Sequence, residues 1–491
     1  MIKLENVSFK YSSGSIETEL EKNEVKNINL HIKKGECVLL CGMSGCGKTT
    51  ITRILNGLCP SFFNGTLTGE YYFDGKDTKE MTLNEIGLVT GNVFQDPRSQ
   101  FFCNNTTDEI VFAMENREYS REAMRNRIAE LCEIFPIEHL LDKKIFKLSS
   151  GEKQIIAIAS VCAAEPKVLI MDEPTANLDT RTTDLLAKML KALKEKGTTI
   201  IMAEHRLFFA KDVFDRAILM NEGEIVREFT REEAISLRNE ELEEYGLRLF
   251  ETPTIGKAKA VTKDWENLSS INAVKIDMRA GEFYPLDSAS FHSPYGKVMA
   301  IIGNNGAGKS SLCRAISGVT KPERGKVVYN GLPIRRRIPK LKRSFLVAQD
   351  ADYQLHSHTV LDEFWAGKKR DYTMKDQIEI AKKTLKEYGL EGFEEHHPQS
   401  LSGGQKQRLL LAIASLTERE LIIFDEPTSG LDGYNMRLIS ERFRELAKKG
   451  KNVILITHDI ELISRAADSV TYMTNGRSTS RLILERSEQN G

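Results

Sequence analysis

The chain has 491 residues, 41% of them hydrophobic and 28% charged, with a formal net charge of −1 at pH 7. That length accommodates two or three domains, each able to bury its own core, and the balanced charge excludes a global attraction to nucleic acid. No apolar run approaches the roughly 18–20 residues that a membrane-spanning helix needs, so any membrane role requires a partner.

Met1-Ile2-Lys3-Leu4-Glu5 reads as the start of a strand and carries no apolar core of a secretion signal. The chain is therefore expected in the cytosol. Seven of the eight cysteines lie in the first half, and Cys37, Cys41 and Cys46 match no zinc spacing. They read as small buried hydrophobes in a reducing compartment.

The first chemical signal is a strand pattern over Glu36–Cys41, then Gly42-Met43-Ser44-Gly45-Cys46-Gly47-Lys48-Thr49, then a helical pattern over Thr49–Gly57. Strand, glycine-rich loop and helix in that order form a phosphate cradle. The glycines let the backbone turn its N–H groups toward phosphate oxygens, and the helix N-terminus adds partial positive charge. Gly42, Ser44, Gly45, Gly47 and Thr50 are candidate nucleotide contacts. Lys48 would reach the outer phosphates, and Thr49 would hold Mg2+ through its hydroxyl. Further along come Gln95 in Val93-Phe94-Gln95-Asp96 and the run Leu148-Ser149-Ser150-Gly151-Glu152. The apolar strand Val168–Met171 then ends in Asp172-Glu173, and Thr199–Ala203 leads to His205. Acids at the C-terminal edge of a buried parallel strand lie where open α/β sheets bind ligands. Asp172 suits the magnesium shell and Glu173 suits polarising an attacking water.

Between the halves, residues 231–251 hold seven acids and three arginines and read as one polar helix, followed by a linker from Thr252 to Lys263. The pattern then repeats. Lys297–Ile302 leads into Gly303-Asn304-Asn305-Gly306-Ala307-Gly308-Lys309-Ser310, with a helix over Ser310–Gly318. Here Gly303, Asn304, Gly306, Gly308, Lys309 and Ser311 are candidate nucleotide contacts, and Ser310 and Asp425 suit the metal. Asp172-Glu173 recurs at Asp425-Glu426, His205 at His458 and Ser149 at Ser402, each 253 positions on; Gln95 recurs at Gln349, 254 on. A period this long is a domain duplication rather than a solenoid repeat. Paired at the offset of the acids, His205 and His458 read as sensors of the terminal phosphate, and Gln95 and Gln349 gain weight from their register alone.

The order phosphate loop, glutamine loop, Leu401-Ser402-Gly403-Gly404-Gln405, Asp-Glu, histidine resembles the nucleotide-binding domains of ATP-binding cassette (ABC) proteins over nearly the whole chain. Leu148-Ser149-Ser150-Gly151-Glu152 is a variant of the same signature, and Asn177-Leu178-Asp179 and Gly430-Leu431-Asp432 resemble the loop that joins two sites. The resemblance implies an α/β fold of two tandem P-loop domains, residues 1–228 and 265–491, joined by an acidic segment at 229–264. Each would have a mainly parallel core sheet, an antiparallel β subdomain and a helical subdomain. It implies ATP and Mg2+ as ligands, with Gln95 and Gln349 reaching the metal. Glu173, His205, Glu426 and His458 would be the catalytic groups. Each ATP would be held between one domain's loop and the other's signature: Lys48, Gln95, Glu173 and His205 with Ser402, Gly403, Gly404 and Gln405, and Lys309, Gln349, Glu426 and His458 with Ser149, Ser150, Gly151 and Glu152, where Ser150 replaces a glycine and Glu152 brings an anion near the nucleotide. Tyr11 fits the family's base-stacking aromatic, and the matching place in the second half falls near Met278.

Within the family, Val93–Phe101, Ala203-Glu204-His205-Arg206-Leu207 and His397-Pro398-Gln399-Ser400 look most similar to fused ATPases of energy coupling factor (ECF) transporters. That resemblance implies a peripheral protein at the cytoplasmic face of the membrane. Its partners would be a transmembrane coupling subunit and a substrate-binding membrane subunit, with no nucleic acid. Fused sugar-importer ATPases, ribosome-associated translation factors and DNA-repair ATPases are the alternatives. The second normally carries a basic helical linker and the third inserts coiled coils or zinc modules. One local feature is left over: six of the nine residues 335–343 are basic. They read as a solvated edge or, alternatively, a contact for anionic lipid.

Overall fold

The computed structural model describes residues 1–12, 24–176, 178–253, 258–260, 268–280, 283–334, 336–349, 351–365 and 374–484. Asn177, Arg335, Asp350 and the linker stretches 254–257 and 261–267 lie outside them. The chain divides into two compact units, Met1–Glu251 with Asp432–Tyr434, and Thr252–Leu431 with Asn435–Gly491.

The first unit has two sheets. Strands β1 (Ile2–Tyr11), β2 (Val25–Ile32), β4 (Gly65–Phe73) and β5 (Lys76–Asp77) form an antiparallel sheet in the order β2-β1-β4-β5. The main sheet runs β10-β9-β3-β8-β7-β6, from β3 (Cys37–Gly42), β6 (Thr90–Val93), β7 (Val168–Asp172), β8 (Thr199–Ala203), β9 (Arg216–Asn221) and β10 (Glu224–Thr230). All its pairings are parallel except β9–β10. The continuous apolar runs of β3, β7 and β8 follow from this, because a strand covered on both faces has no polar side. Alternate residues feed two cores. Val38, Leu40, Ile170, Ile201 and Ile218 pack with the antiparallel sheet and the helix Lys48–Leu55. Leu39, Cys41, Leu169, Met171 and Met202 pack with helices Thr106–Glu115, Ser150–Ala163 and Thr180–Glu195. Each such buried side chain contributes roughly 1.5–3 kcal/mol. The cysteines behave as part of this packing: burial pushes the Cys37 and Cys41 thiols up to about 12.

The second unit repeats the plan. Its antiparallel sheet runs β13-β12-β15-β16, from β12 (Ser270–Ala280), β13 (Phe283–Pro294), β15 (Arg324–Tyr329) and β16 (Leu332–Ile334). Its main sheet runs β11-β21-β20-β14-β19-β18-β17, with β11 (Ala258–Ala260), β14 (Val298–Ile302), β17 (Ser344–Val347), β18 (Leu421–Asp425), β19 (Asn452–Ile456), β20 (Ser469–Thr474) and β21 (Arg477–Leu484). Even an irregularity is duplicated. Asn6 in β1 and Lys275 in β12 take left-handed φ values of 49° and 48°. Each marks a register shift, so the buried positions switch from Ile2 and Leu4 to Val7 and Phe9, and from Ile271 and Ala273 to Ile276. Counted from this bulge, Met278 matches Phe9, and it is Ala280 that matches Tyr11.

Residues 231–251 are not one polar helix. They form two short helices, Arg231–Ile235 and Asn239–Glu244, and bury Ala234, Leu242, Leu247 and Phe250 in the first unit's core. Four of the seven acids, Glu232, Glu233, Glu240 and Glu241, sit in the first turns of these helices, where the helix dipole favours them. Glu233 also caps: Thr230 N–H donates to Glu233 Oε2 at 2.8 Å, and Glu233 N–H to Thr230 Oγ1 at 3.3 Å.

Candidate nucleotide-binding and catalytic sites

In each unit the phosphate loop leaves the end of a central strand, at the point where neighbouring strands lead away on either side. Gly42 has φ +138° and Gly303 has φ +148°, and a Cβ at either would come within 2.2 Å of a backbone oxygen, Met220 O or Met473 O. Only glycine fits so close to the neighbouring strand. Gly47 and Gly308 are the left-handed residues that open helices Lys48–Leu55 and Lys309–Ser317. The lysines that follow are almost fully buried, and their ammonium groups lie among the loop's own carbonyls. Lys48 Nζ donates to Gly42 O (3.0 Å) and Met43 O (2.9 Å), and Lys309 Nζ to Gly303 O (2.6 Å) and Asn304 O (3.1 Å). The surroundings then differ, with Cys46 Sγ 3.6 Å from Lys48 and His458 Nε2 3.0 Å from Lys309.

The first unit brings together Lys48, Thr49, Gln95, Asp172, Glu173 and His205. Thr49 Oγ1 donates to Asp172 Oδ1 at 3.2 Å, Gln95 Nε2 donates to Glu173 Oε2 at 2.7 Å, and His205 Nε2 lies 3.4 Å from Glu173 Oε1. In the second, Ser310 hydrogen-bonds Asp425, His458 Nε2 lies 3.6 Å from Glu426 Oε1, and His458 N–H donates to Glu426 Oε2 at 3.4 Å. Burial and the neighbouring Glu173 charge push Asp172 up to about 6, against the Thr49 hydrogen bond; burial likewise raises Asp425. Burial alone would raise Glu173 too, but His205 and Lys48 outweigh it and hold the carboxylate below its usual range. Glu173 and Glu426 both take left-handed backbone, φ 45° and 49°, and both N–H groups are held by the histidine strand, to Ala203 O and Ile456 O at 2.8 Å. Non-glycine residues persist there only when their surroundings fix them, at a cost on the order of 1–3 kcal/mol, and such positions cluster at functional sites.

The donor set fits a nucleotide–magnesium pair. A hydroxyl and a buried carboxylate offer only hard oxygens, as Mg2+ prefers, and Mg2+ takes its remaining ligands from phosphate and water. Among the described residues no cluster of three or more His, Cys, Asp or Glu could hold a metal unaided.

The signature residues open helices Ser150–Ala163 and Gly403–Ser415 as N-caps. Ser149 N–H donates to Glu152 Oε2 (2.8 Å) and so does its hydroxyl (2.7 Å); Ser402 N–H donates to Gln405 Oε1 (3.0 Å). Glu152 is thus engaged in its own cap. Burial acts upward on it, but the Ser149 hydrogen bonds prevail and hold it ionised.

Tyr11 does not offer an open ring for stacking. It is 5% exposed, its ring packs edge-on against Phe9, and its hydroxyl meets Thr50 Oγ1 and the Arg53 guanidinium, both at 3.2 Å. Thr50, expected at the nucleotide, is likewise buried.

Several residues escaped the sequence reading. Gln100 ties Phe94 N–H and Asn92 O together, as Gln354 ties Ala348 N–H and Leu346 O. Buried Glu109 accepts from Phe102 and Cys103 N–H, as Glu363 does from His356 and Ser357 N–H. Both pairs are 254 apart, the same as Gln95 and Gln349, so register could have found them.

A family model described as ABC transporter matches residues 25–176 and 286–429, one copy in each unit. The chain belongs to the ABC transporter family. It is 39% identical to a putative ABC transporter ATP-binding protein of Treponema denticola, over 100% of this chain and 98% of that one. It is 31% identical to a putative HMP/thiamine import ATP-binding protein of Bacillus subtilis, over 96% of this chain and 89% of that one. Among solved structures, an archaeal ribosome recycling factor bound to a ribosomal stalk protein matches with TM-score 0.65 at 19% identity, covering 97% of this chain and 90% of its own; this likeness is one of fold. The protein is therefore an ATPase of an ABC transporter, built from two fused ABC domains. No helix among the described residues is long and apolar enough to cross a membrane.

Proposed function

We propose that this chain is the energy-coupling ATPase of an ECF-type importer that takes up a vitamin or trace nutrient. In this reading its partners are a transmembrane coupling subunit and a substrate-binding membrane subunit, and it works at the cytoplasmic face of the membrane. The observation that carries the reading is the completeness of both units. Each keeps lysine, hydroxyl, Asp-Glu and histidine, with the glutamate in the same strained backbone and tied to the histidine strand. Full-length similarity to a relative named for HMP/thiamine import supports import over the ribosome-associated and DNA-repair alternatives.

The two units act as the two ATPase domains; the segment 229–264, expected between them, gives residues 231–251 to the first unit's core and Ala258–Ala260 to the second unit's main sheet. Bound Mg2+ would supply charge neutralisation at the outer phosphates, held by Thr49, Gln95 and Asp172 in one site and Ser310, Gln349 and Asp425 in the other. Gly42, Ser44, Gly45 and Gly47, and Gly303, Asn304, Gly306, Gly308 and Ser311, line the phosphates. Lys48 and Lys309 exchange loop carbonyls for phosphate oxygens, which makes stronger charge-assisted bonds. Glu173 and Glu426 orient the attacking water and accept its proton, and His205 and His458 face the terminal phosphate. Ser402, Gly403, Gly404 and Gln405 complete the first site, and Ser149 and Gly151 the second, so nucleotide holds the domains together and cleavage releases them.

The test compares Glu173→Gln with Glu426→Gln. General-base loss at either site should lower turnover there by about a hundredfold or more. A single change that leaves total ATPase activity untouched would sink the two-site reading. Affinity capture of the tagged chain from detergent-solubilised membranes, after a nuclease and high-salt wash, addresses the partners. Recovery with ribosomes instead of membrane proteins would remove the importer.

A further inference from the structure

Register alone hides one correspondence between the units. Counted 253 positions on, Glu204 matches Thr457 and Arg206 matches Asp459, so neither acid is paired with the other. The hydrogen bonds pair them. Glu204, 2% exposed, precedes His205. Its Oε1 accepts from the Thr175 N–H (2.9 Å) and the Thr175 hydroxyl, and its Oε2 from the N–H groups of His205 (2.6 Å) and Arg206 (2.9 Å). Asp459, 5% exposed, follows His458. Its Oδ2 accepts from the Thr428 hydroxyl (2.6 Å), and its Oδ1 from Leu462 N–H (3.1 Å), capping the helix Ile460–Ala466. Thr175 and Thr428 are themselves 253 apart, both 0% exposed, and each lies two residues after its glutamate.

We infer that Glu204 and Asp459 are equivalent positioning residues that reach the same threonine from opposite sides of the histidine. Each ties the glutamate's segment to the histidine's segment and so fixes the glutamate–histidine pair for hydrolysis. Every glutamate is then clamped twice to one strand end: by its own N–H, to Ala203 O or Ile456 O, and by the threonine two residues on. Two clamps are what a left-handed glutamate needs if it is not to relax. The positions vacated by the acids are also filled consistently. Arg206, where the second unit has its acid, is buried and donates from Nη1 to Leu178 O at 3.2 Å. Thr457, where the first unit has its acid, accepts from Asp459 N–H at 3.0 Å.

The inference rests on Glu173 and Glu426 being the groups that drive hydrolysis, and the experiment separates the two ideas. Turnover of the full chain with Mg·ATP is measured in a Glu426→Gln background, so that the first unit's glutamate is read. Glu204→Gln places an amide against four donors. It should lower kcat by about tenfold to a hundredfold while KM for ATP moves less than about twofold. Adding instead Glu204→Thr with Arg206→Asp gives the first unit the Thr-His-Asp order of the second. That should bring kcat back to within about threefold of the background. Where the buried amide unfolds the unit, Thr175→Val lowers kcat and Thr175→Ser, which keeps the hydroxyl, recovers it. Hydrogen exchange on peptides 172–178 and 203–207 is followed alongside: it rises in Glu204→Gln and falls again in the transplant. Exchange that rises while kcat stays put, or a transplant that regains protection but not rate, overturns the positioning role; unchanged exchange overturns the tie itself. Wild-type turnover in both single glutamate variants would instead retire the assignment of Glu173 and Glu426, and the exchange data would still decide whether the two acids are equivalent.

Discussion

The two units share a chassis and differ in its fastenings. Both place a buried lysine in a loop of left-handed glycines and a glutamate at φ near 45–49°. Around that frame the partners change. Lys48 neighbours Cys46 where Lys309 neighbours His458, and the first signature caps its helix with Glu152 where the second uses Gln405. Backbone geometry at the site is therefore the constrained quantity, and several side-chain sets satisfy it. Substitutions at matched positions show how far that equivalence extends.

The largest effect is expected at the loop entrances. Gly42→Ala and Gly303→Ala each drive a methyl into a backbone oxygen on the neighbouring strand. Each should cost about 3 kcal/mol or more in stability and abolish nucleotide binding in its own unit. Thermal unfolding and nucleotide titration should give matched losses. A mild change at one and a severe one at the other would show that the duplicated entrances are not equivalent.

Next is Tyr11. Removing its hydroxyl leaves Thr50 and Arg53 without a shared buried partner, so Tyr11→Phe should destabilise by about 1–2 kcal/mol. If the ring stays packed against Phe9, ATP affinity changes less than about twofold. A large affinity loss with no loss of stability would mean that the ring leaves its packing to stack on adenine. The first half would then have an aromatic contact with no counterpart at Ala280.

Most of the core was legible because it is periodic. Continuous apolar runs announced β3, β7, β8 and β14 to within a residue at each end, since parallel strands buried on both faces leave no other composition. The glutamates, lysines and histidines followed from motif order. Three things were less visible. The duplicated bulges at Asn6 and Lys275 hold β1 and β12 at a constant offset of 269, which puts Ala280 and not Met278 opposite Tyr11, and that offset differs from the 253 of the motifs, so it could not be counted from them. The acidic count in 231–251 concealed Leu242, Leu247 and Phe250, of which only Leu242 lies in a helix, so the three share no helical period. Glu204 and Asp459 do the same work from different sequence positions, and only coordinates reveal that.

A smaller effect is expected from Glu152→Gln, which gives the first signature the capping residue of the second. The cap survives with glutamine, as at Ser402, so stability near neutral pH should change by less than about 1 kcal/mol. The sign at low pH is informative. Glu152 is depressed in the folded state, so its contribution is complete above the ordinary glutamate range, about 4, and is lost as pH falls through the lower folded value. The variant should therefore lose less stability on acidification than the parent. Removing the anion should tighten nucleotide binding about threefold, read by titration with a non-hydrolysable analogue. Equal binding would mean that the signature's charge is irrelevant.

The smallest effect concerns the helix that precedes the glutamine-loop strand. In the first unit, Leu83–Val89 opens with a capping box between Thr82 and Glu85. In the second, the basic helix Arg337–Arg343 stands in that place with no such cap. Its charges are largely used internally. Arg337 Nε donates to Gly318 O at 2.9 Å, Arg343 pairs with Glu420 at 3.0 Å, and Lys340 is 4% exposed. These contacts favour a structural edge over a lipid-binding patch, because a guanidinium tied to a carbonyl is not offered to a headgroup. Arg337→Ser should cost about 1 kcal/mol of stability through the lost bond and leave membrane recovery unchanged. Arg336→Ser with Lys342→Ser, which removes charge without touching those bonds, should alter neither. A fall in membrane recovery in the second variant alone would restore the lipid contact and make this edge a functional difference between the units.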